Sequence, residues 1–175
     1  MKIKAVMSFA LCSVSMIAFG QLRDIASESS KGKGDSRVRI ALEQSSVKFS
    51  VDSDNDFRVS WSLEGKRDHV VFINSKTQTY SSGEGLGNIE LREIWAIGFV
   101  SKEVSESNLR TLLERNASYK VGAWALHKRN DGKYEARFVI QVPADCRGSV
   151  LRQFTNLVAK TADGIEKMAT GADAF

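Results

Sequence analysis

Cysteine, proline and histidine are all scarce in this chain, and each scarcity removes a class of protein. Its 175 residues hold two cysteines, one proline and two histidines. A proline-poor chain without a Gly-X-Y period is neither collagen-like nor a polyproline spacer. His69 and His127 have no cysteine partners with which to make a usual zinc set. No serine or cysteine stands in a nucleophile-elbow context. The glycine-rich stretch Gly83-Glu84-Gly85-Leu86-Gly87 has neither dinucleotide-fingerprint spacing nor the lysine of a P-loop, and reads as a mobile loop. No cofactor is expected, and no catalytic apparatus is visible. The expectation is therefore a non-enzymatic protein, which a water-shielded cleft where His69 or His127 meets converging acids would overturn.

Long apolar runs are also missing, apart from one at the start. Lys2 and Lys4 form a positive segment, Ala5 to Phe19 is mostly apolar, and Ala18-Phe19-Gly20 offers small residues for cleavage before Gln21. The run is shorter than the roughly 20 residues that cross a bilayer comfortably, and no charged stop-transfer flank follows it. Residues 1–20 therefore read as a signal peptide, with a retained anchor the weaker reading and a lipid anchor at Cys12 weaker still. Export to the periplasm or the outside is the expectation, with no membrane insertion once the signal is cleaved. Cleavage removes both lysines and no acid, so the net charge falls from +4 to +2. The remaining basic residues are interleaved with acids in no run of five, which is a solvated surface and not a nucleic-acid footprint. Cys12 leaves with the signal, so Cys146 has no intrachain partner and no disulfide braces the domain.

About 155 residues remain, enough for one packed core. Residues 21–34 are rich in Ser, Lys and Gly and read as a flexible leader to a single domain at 35–175. Asp35 or Ser36 can cap a short helix through Leu42, although Val38 and Ile40 could equally begin a strand. The period then becomes two. Val47, Phe49 and Val51 lead to a turn at Asp52-Ser53-Asp54-Asn55-Asp56, and Phe57, Val59, Trp61 and Leu63 follow. Asp52, Asp54 and Asp56 share the spacing of calcium-loop ligands, but Phe57 and Leu63 stand where that loop needs glycine and glutamate, so a hairpin turn is the reading. His69 to Tyr80 read as a third strand. Ile89 to Val100 favour a fourth, though Ile89, Glu93 and Ile97 would also suit a helix.

Ser105 can cap a helix to about Asn116, with Leu109, Leu112 and Leu113 as its apolar stripe. Arg129-Asn130-Asp131-Gly132 between two β-rich segments is a strong hairpin signal. Its second arm puts Tyr134, Ala136, Phe138, Ile140 and Val142 on one face, and Pro143 ends it. A last helix runs from about Arg147 to Thr170, with Leu151, Phe154, Val158, Ile165 and Met168 on one side and Ala162 leaving room for a sheet. The order α-β-β-β(-β)-α-β-β-α predicts an α+β domain, an antiparallel sheet with helices packed on one face.

Several of these segments resemble the YbjN-type family, whose fold is that of type III secretion chaperones. The resemblance lies in Leu112-Leu113-Glu114-Arg115-Asn116, Val121-Gly122-Ala123-Trp124-Ala125-Leu126, Arg137-Phe138-Val139-Ile140-Gln141-Val142-Pro143 and the long helix with Ala162-Asp163, mainly over residues 105–170. It implies a sheet flanked by helices, often dimeric, that works by binding other proteins. This chain differs from those chaperones in its export signal.

The three tryptophans, Trp61, Trp95 and Trp124, are the remaining candidates, and tryptophans on strands more often serve the core than a binding surface. Trp124 alternates with Ala123 and Ala125, which would let it project from the second sheet face beside Leu126. Trp124, Leu126, Arg137 and Val139 are accordingly the expected partner-binding residues. The partner would be a protein, a peptide or a second copy in a homodimer. A small-ligand binder or sensor of the cell envelope, with a pocket between sheet and helices, is the alternative.

Overall fold

The computed structural model of the chain describes residues 34–81, 83, 87–171 and 173–175. The expected signal peptide, most of the leader and part of the glycine loop lie outside them. Helix α1 (Ser36–Gln44) is followed by strands β1 (Ser50–Val51), β2 (Phe57–Ser62), β3 (Asp68–Ser81) and β4 (Asn88–Ser101). Helix α2 (Glu106–Ser118), strands β5 (Ala123–Lys128) and β6 (Tyr134–Pro143), and helix α3 (Gly148–Thr170) complete the order. The strands form one antiparallel sheet in the order β1-β2-β3-β4-β6-β5. This is the α+β architecture expected from the periodicity, and residues 88–101 are a strand.

Local chemistry explains the boundaries. Asp35 caps α1 by accepting from the Arg37 N–H at 2.8 Å, and Ser105 caps α2 by accepting from the Asn108 N–H at 3.2 Å. The Asp52 carboxylate accepts from the N–H groups of Asp54 and Asp56, so the acidic stretch is a hairpin turn held by its own side chain. Only Ser50 and Val51 pair with β2, which makes β1 shorter than the alternation from Val47 suggests. Gly132 takes φ 81° in the β5–β6 turn, and Gly171 takes φ 65° at the end of α3.

One face of the sheet is covered. The register aligns Val59, Val71, Ala96, Phe138 and Trp124 across five strands, and all are buried. Leu151, Val158, Ala159, Ala162 and Ile165 of α3 complete this core, together with Val38 and Leu42 of α1. Small residues let the layers approach: a side chain at Gly98 would meet the Trp124 ring, and one at Gly148 would meet the Ala41 carbonyl of α1. In α2 only Leu112 is buried, while Leu109 and Leu113 are exposed. The apolar stripe predicted there is thus one residue deep.

A buried cation interrupts the apolar layer. The β3–β4 pairing shifts between Ile73 and Thr77, which frees the carbonyls of Asn74 and Ser75. Arg92 is only 1 % exposed, and its guanidinium donates to both carbonyls and to Asp35 at 2.5 Å. Arg37 grips Asp35 and reaches Glu90 at 2.7 Å, so the cap of α1, the bulge of β3 and strand β4 share one ionic network. Such a charge is tolerable inside because both Nη groups meet acceptors and one of these is a carboxylate; Nε is buried without a partner.

Candidate functional site

The face of the sheet opposite α1 and α3 carries no described element. Its central row is Arg58, Phe72, Trp95, Val139 and Ala123, residues paired directly across β2, β3, β4, β6 and β5. Ile97, Arg137 and Ala125 form the next row, with Val70 beside them on β3. Alternation places Phe72 here because Val71 and Ile73 point inward, and Trp95 because Ile94 and Ala96 do.

These side chains form a stack. The rings of Phe72 and Trp95 lie 4.2 Å apart at 11°. Arg58 sits over Phe72 at 5.3 Å, and Arg137 over Trp95 at 3.9 Å. Strand order puts the two guanidinium groups at opposite ends, so the sequence across the sheet is cation, phenyl, indole, cation. The indole N–H donates to Asn74 Oδ1 at 2.8 Å. Arg137 is further held by Glu135, which also pairs with Arg129 at 3.3 Å and has a side chain only 4 % exposed. An aromatic pair adds about 0.5–1.5 kcal/mol and an exposed cation–π contact about 0.5–1 kcal/mol. The stack is therefore rigid before anything binds it. Because each ring face is already covered by a neighbour, the rings present their edges to solvent and leave no open π-face for a nucleobase.

The four residues expected to bind a partner do not share one face. Arg137 and Val139 belong to the uncovered face. Trp124 is a correction: it is 7 % exposed, lies on the helix side against Phe138, and belongs to the core. The alternation in β5 was legible, but which alternate face the helices cover was not. Leu126, 40 % exposed, shares the side of Trp124 at the sheet's edge strand. Asn116 of α2 clamps β5 there, accepting from the Trp124 N–H at 2.7 Å and donating to its carbonyl at 3.3 Å. Sequence reading missed Phe72 and Arg58. Large aromatics at the outward positions of β3 and β4 were the signal that could have found them.

The histidines part company. His127 is exposed on the uncovered face opposite Glu135. His69 is fully buried on the helix side, with its Nδ1 3.5 Å from Glu166 Oε2, and Asp163 completes a trio whose donor atoms lie within 4.8 Å of one another. Burial pushes the imidazole below its ordinary pKa, against the opposing pull of Glu166 and Asp163. This convergence of a histidine with acids was not expected from sequence. Arg67 closes over the cluster from its partly exposed side: Glu166 is 0 % exposed, Asp163 is 17 % exposed, and Arg67 binds Asp163 at 2.5 Å and Glu166 at 2.9 Å. The Ala174 N–H takes the second Glu166 oxygen at 2.5 Å. A divalent ion ligated by the trio would have to displace a guanidinium that already supplies the compensating charge.

No protein-family model matches this chain, and no curated protein matches it. Among solved structures it is similar to the crystal structure of YbjN from E. coli, at 11 % identity and a TM-score of 0.49, over 77 % of this chain and 89 % of that one. That likeness concerns fold alone.

Proposed function

We propose that this domain is an exported, non-enzymatic protein-interaction module whose uncovered sheet face is the binding surface, and that the occupant fitting it best is a second copy of the chain. The preformed Arg58–Phe72–Trp95–Arg137 stack carries this reading. Rigid aromatic and arginine side chains are the types that dominate binding energy at interfaces, since little entropy is lost when they dock. Val70, Ile97 and Val139 surround the stack with apolar surface that no described element covers.

The aromatic centre of the face is self-complementary, and the like-charged Arg58 side chains meet only at its end. A twofold axis along the Arg58–Ala123 row would set each Trp95 against the other copy's Trp95. Each Arg137 would then lie across from Gln141 of the other copy, one strand from its Glu93. Five strands about 4.8 Å apart and six residues about 3.3 Å apart give a flat area of roughly 480 Å². Side-chain relief takes this toward the about 800 Å² that each partner of a standard interface buries.

The non-catalytic part of the proposal draws support from the cluster at His69, where His69 and Glu166 are fully buried and Arg67 is paired to both acids. The exported part rests on residues 1–20.

Sedimentation equilibrium of residues 21–175 tests the whole. The apparent mass should rise toward twice the monomer's across a micromolar concentration series. Trp95→Asp and Val139→Asp should stay monomeric, while Leu113→Asp on the exposed side of α2 should dimerise as the unchanged chain does. A chain that remains monomeric at about 100 μM, equivalent to a free energy weaker than about −5.5 kcal/mol, ends the self-pairing proposal. Melting curves of each variant separate lost pairing from lost folding.

A further inference from the structure

The helix side holds a groove that the sheet face does not use. Helices α1 and α3 cross in tight contact at Gly148, where an added Cβ would lie 2.2 Å from the Ala41 carbonyl oxygen. Beside that crossing a space of about 730 Å³ opens between the end of α1, the first turns of α3 and the end of β2. Its volume lies in the range of small-molecule sites, about 300–1,000 Å³.

The lining is chemically selective. Trp61 supplies one wall. Its Nε1 is inaccessible and without a partner, so the ring carbons are what the groove meets. Gln44, Ser46, Gln153 and Asn156 offer neutral donors and acceptors, and no acid or aliphatic side chain lines the space. Arg152 is the one charge. Among the described residues it has no carboxylate within ion-pair distance, and its hydrogen bond to the Ser45 carbonyl is a long one, 3.5 Å from Nη1. Arg37, Arg67, Arg92, Arg129 and Arg137 all have acids.

Local backbone chemistry keeps the charge of the groove positive. Ser45 Oγ donates to the Ala41 and Leu42 carbonyls at the end of α1, which covers the negative end of that helix. The start of α3, next to Ser149, has no side-chain cap. Ser46 holds φ 54°, a left-handed conformation uncommon for serine, at the groove's rim.

We propose that this groove binds a hydroxyl-rich, sugar-sized ligand that carries one anionic group, its ring laid against Trp61 and its anion at Arg152. Hydroxyls spread over a ring match the ring of neutral amides and hydroxyls, and the apolar face of a sugar packs on an indole. A fork of guanidinium N–H groups suits a carboxylate or a phosphate equally, and the test separates the two. The groove lies across the sheet from the proposed pairing face, so neither proposal depends on the other.

The experiment is isothermal titration of residues 21–175 with glucuronate, glucose 6-phosphate and glucose, with tryptophan fluorescence as a second readout. Saturable binding of glucuronate, of glucose 6-phosphate or of both is expected, with glucose about tenfold weaker or more, as one charge-assisted hydrogen bond implies. Preference between the two anions names the anionic group. Arg152→Gln, an exposed change that should leave the melt unaltered, should bring the anionic sugars to the level of glucose. Trp61→Leu should weaken all three. The proposal is overturned if none binds at about 10 mM, if glucose binds as well as the anionic pair, or if Arg152→Gln binds glucuronate as the unchanged chain does.

Discussion

Replacing Trp124 by alanine asks which side of the sheet holds the domain together. The indole is 7 % exposed, lies 5.4 Å from the Phe138 ring and fills the slot that Gly98 leaves open. A buried tryptophan removes about 200 Å² from water, which at about 25 cal/mol per Å² is about 5 kcal/mol. Against this stands the indole Nε1, buried without a hydrogen-bond partner. Deleting an unpaired donor returns about 1–2 kcal/mol. The two-point clamp from Asn116 is to the backbone of Trp124 and survives the change. The expected loss is therefore about 3 kcal/mol, at the low end of tryptophan-to-alanine values. For a domain of this size it should lower Tm by about 10 °C. Urea unfolding followed by far-UV circular dichroism, at one low protein concentration, measures it. Trp124→Phe keeps the aromatic contact, loses the orphan N–H and should stay within about 1.5 kcal/mol of the original. A loss under about 1 kcal/mol for Trp124→Ala, accompanied by altered self-association, would refute the placement of this side chain in the core.

Three further outcomes follow from the same packing. Arg92→Met leaves Asp35 to Arg37 alone and takes the donor from two carbonyls, and should cost about 2–4 kcal/mol; the double variant with Asp35→Asn should lose less than the two single losses added together, as read in a thermal double-mutant cycle. Burial alone would raise the pKa of Asp35, but hydrogen bonds from Arg37 and Arg92 outweigh it and bring the carboxyl to about 2, below its ordinary 3.8. A depressed folded pKa means stability present above about pH 4 and lost as pH falls toward 2, by about 2 kcal/mol for Asp35 and by little for the more exposed Glu90; Asp35→Asn should flatten that slope in urea melts between pH 6 and pH 2, and an unchanged slope would contradict the assignment. Gly98→Ala sets a methyl 2.6 Å from the Trp124 ring and should cost about 1–3 kcal/mol, a penalty that should shrink in a Trp124→Ala background when both are measured by chemical denaturation.

What could be read in advance was what is local. The caps at Asp35 and Ser105, the Asn130-Asp131-Gly132 turn and the strict alternation from Tyr134 to Val142 each depend on residues within a few positions of one another. Their order was enough for an α+β architecture, because antiparallel hairpins leave few ways to bury one face. What could not be read depends on register between distant strands. Arg58, Phe72, Trp95 and Arg137 meet only once four strands are aligned, and a one-residue slip would send each to the other face. The same holds for Arg67 with Asp163 and Glu166, almost a hundred residues apart. Arg92 looked like one of many surface arginines because the bulge that receives it leaves no mark in the hydrophobic pattern. Trp124 failed for a subtler reason: alternation separates two faces but does not say which of them the helices cover.

The anchoring of Arg92 by the first residue before α1 sets a sharp limit on trimming. A protease or a truncated clone that stops at Gly34 keeps the carboxylate that faces the guanidinium. Removal of two more amino acids, Gly34 and Asp35, deletes both the cap of the helix and the counter-ion of a charge lodged in the middle of the fold. The edge of this domain is thus marked by an ionic requirement in its interior, and an expression boundary drawn at Ser36 should yield a visibly less soluble product than one drawn two residues earlier.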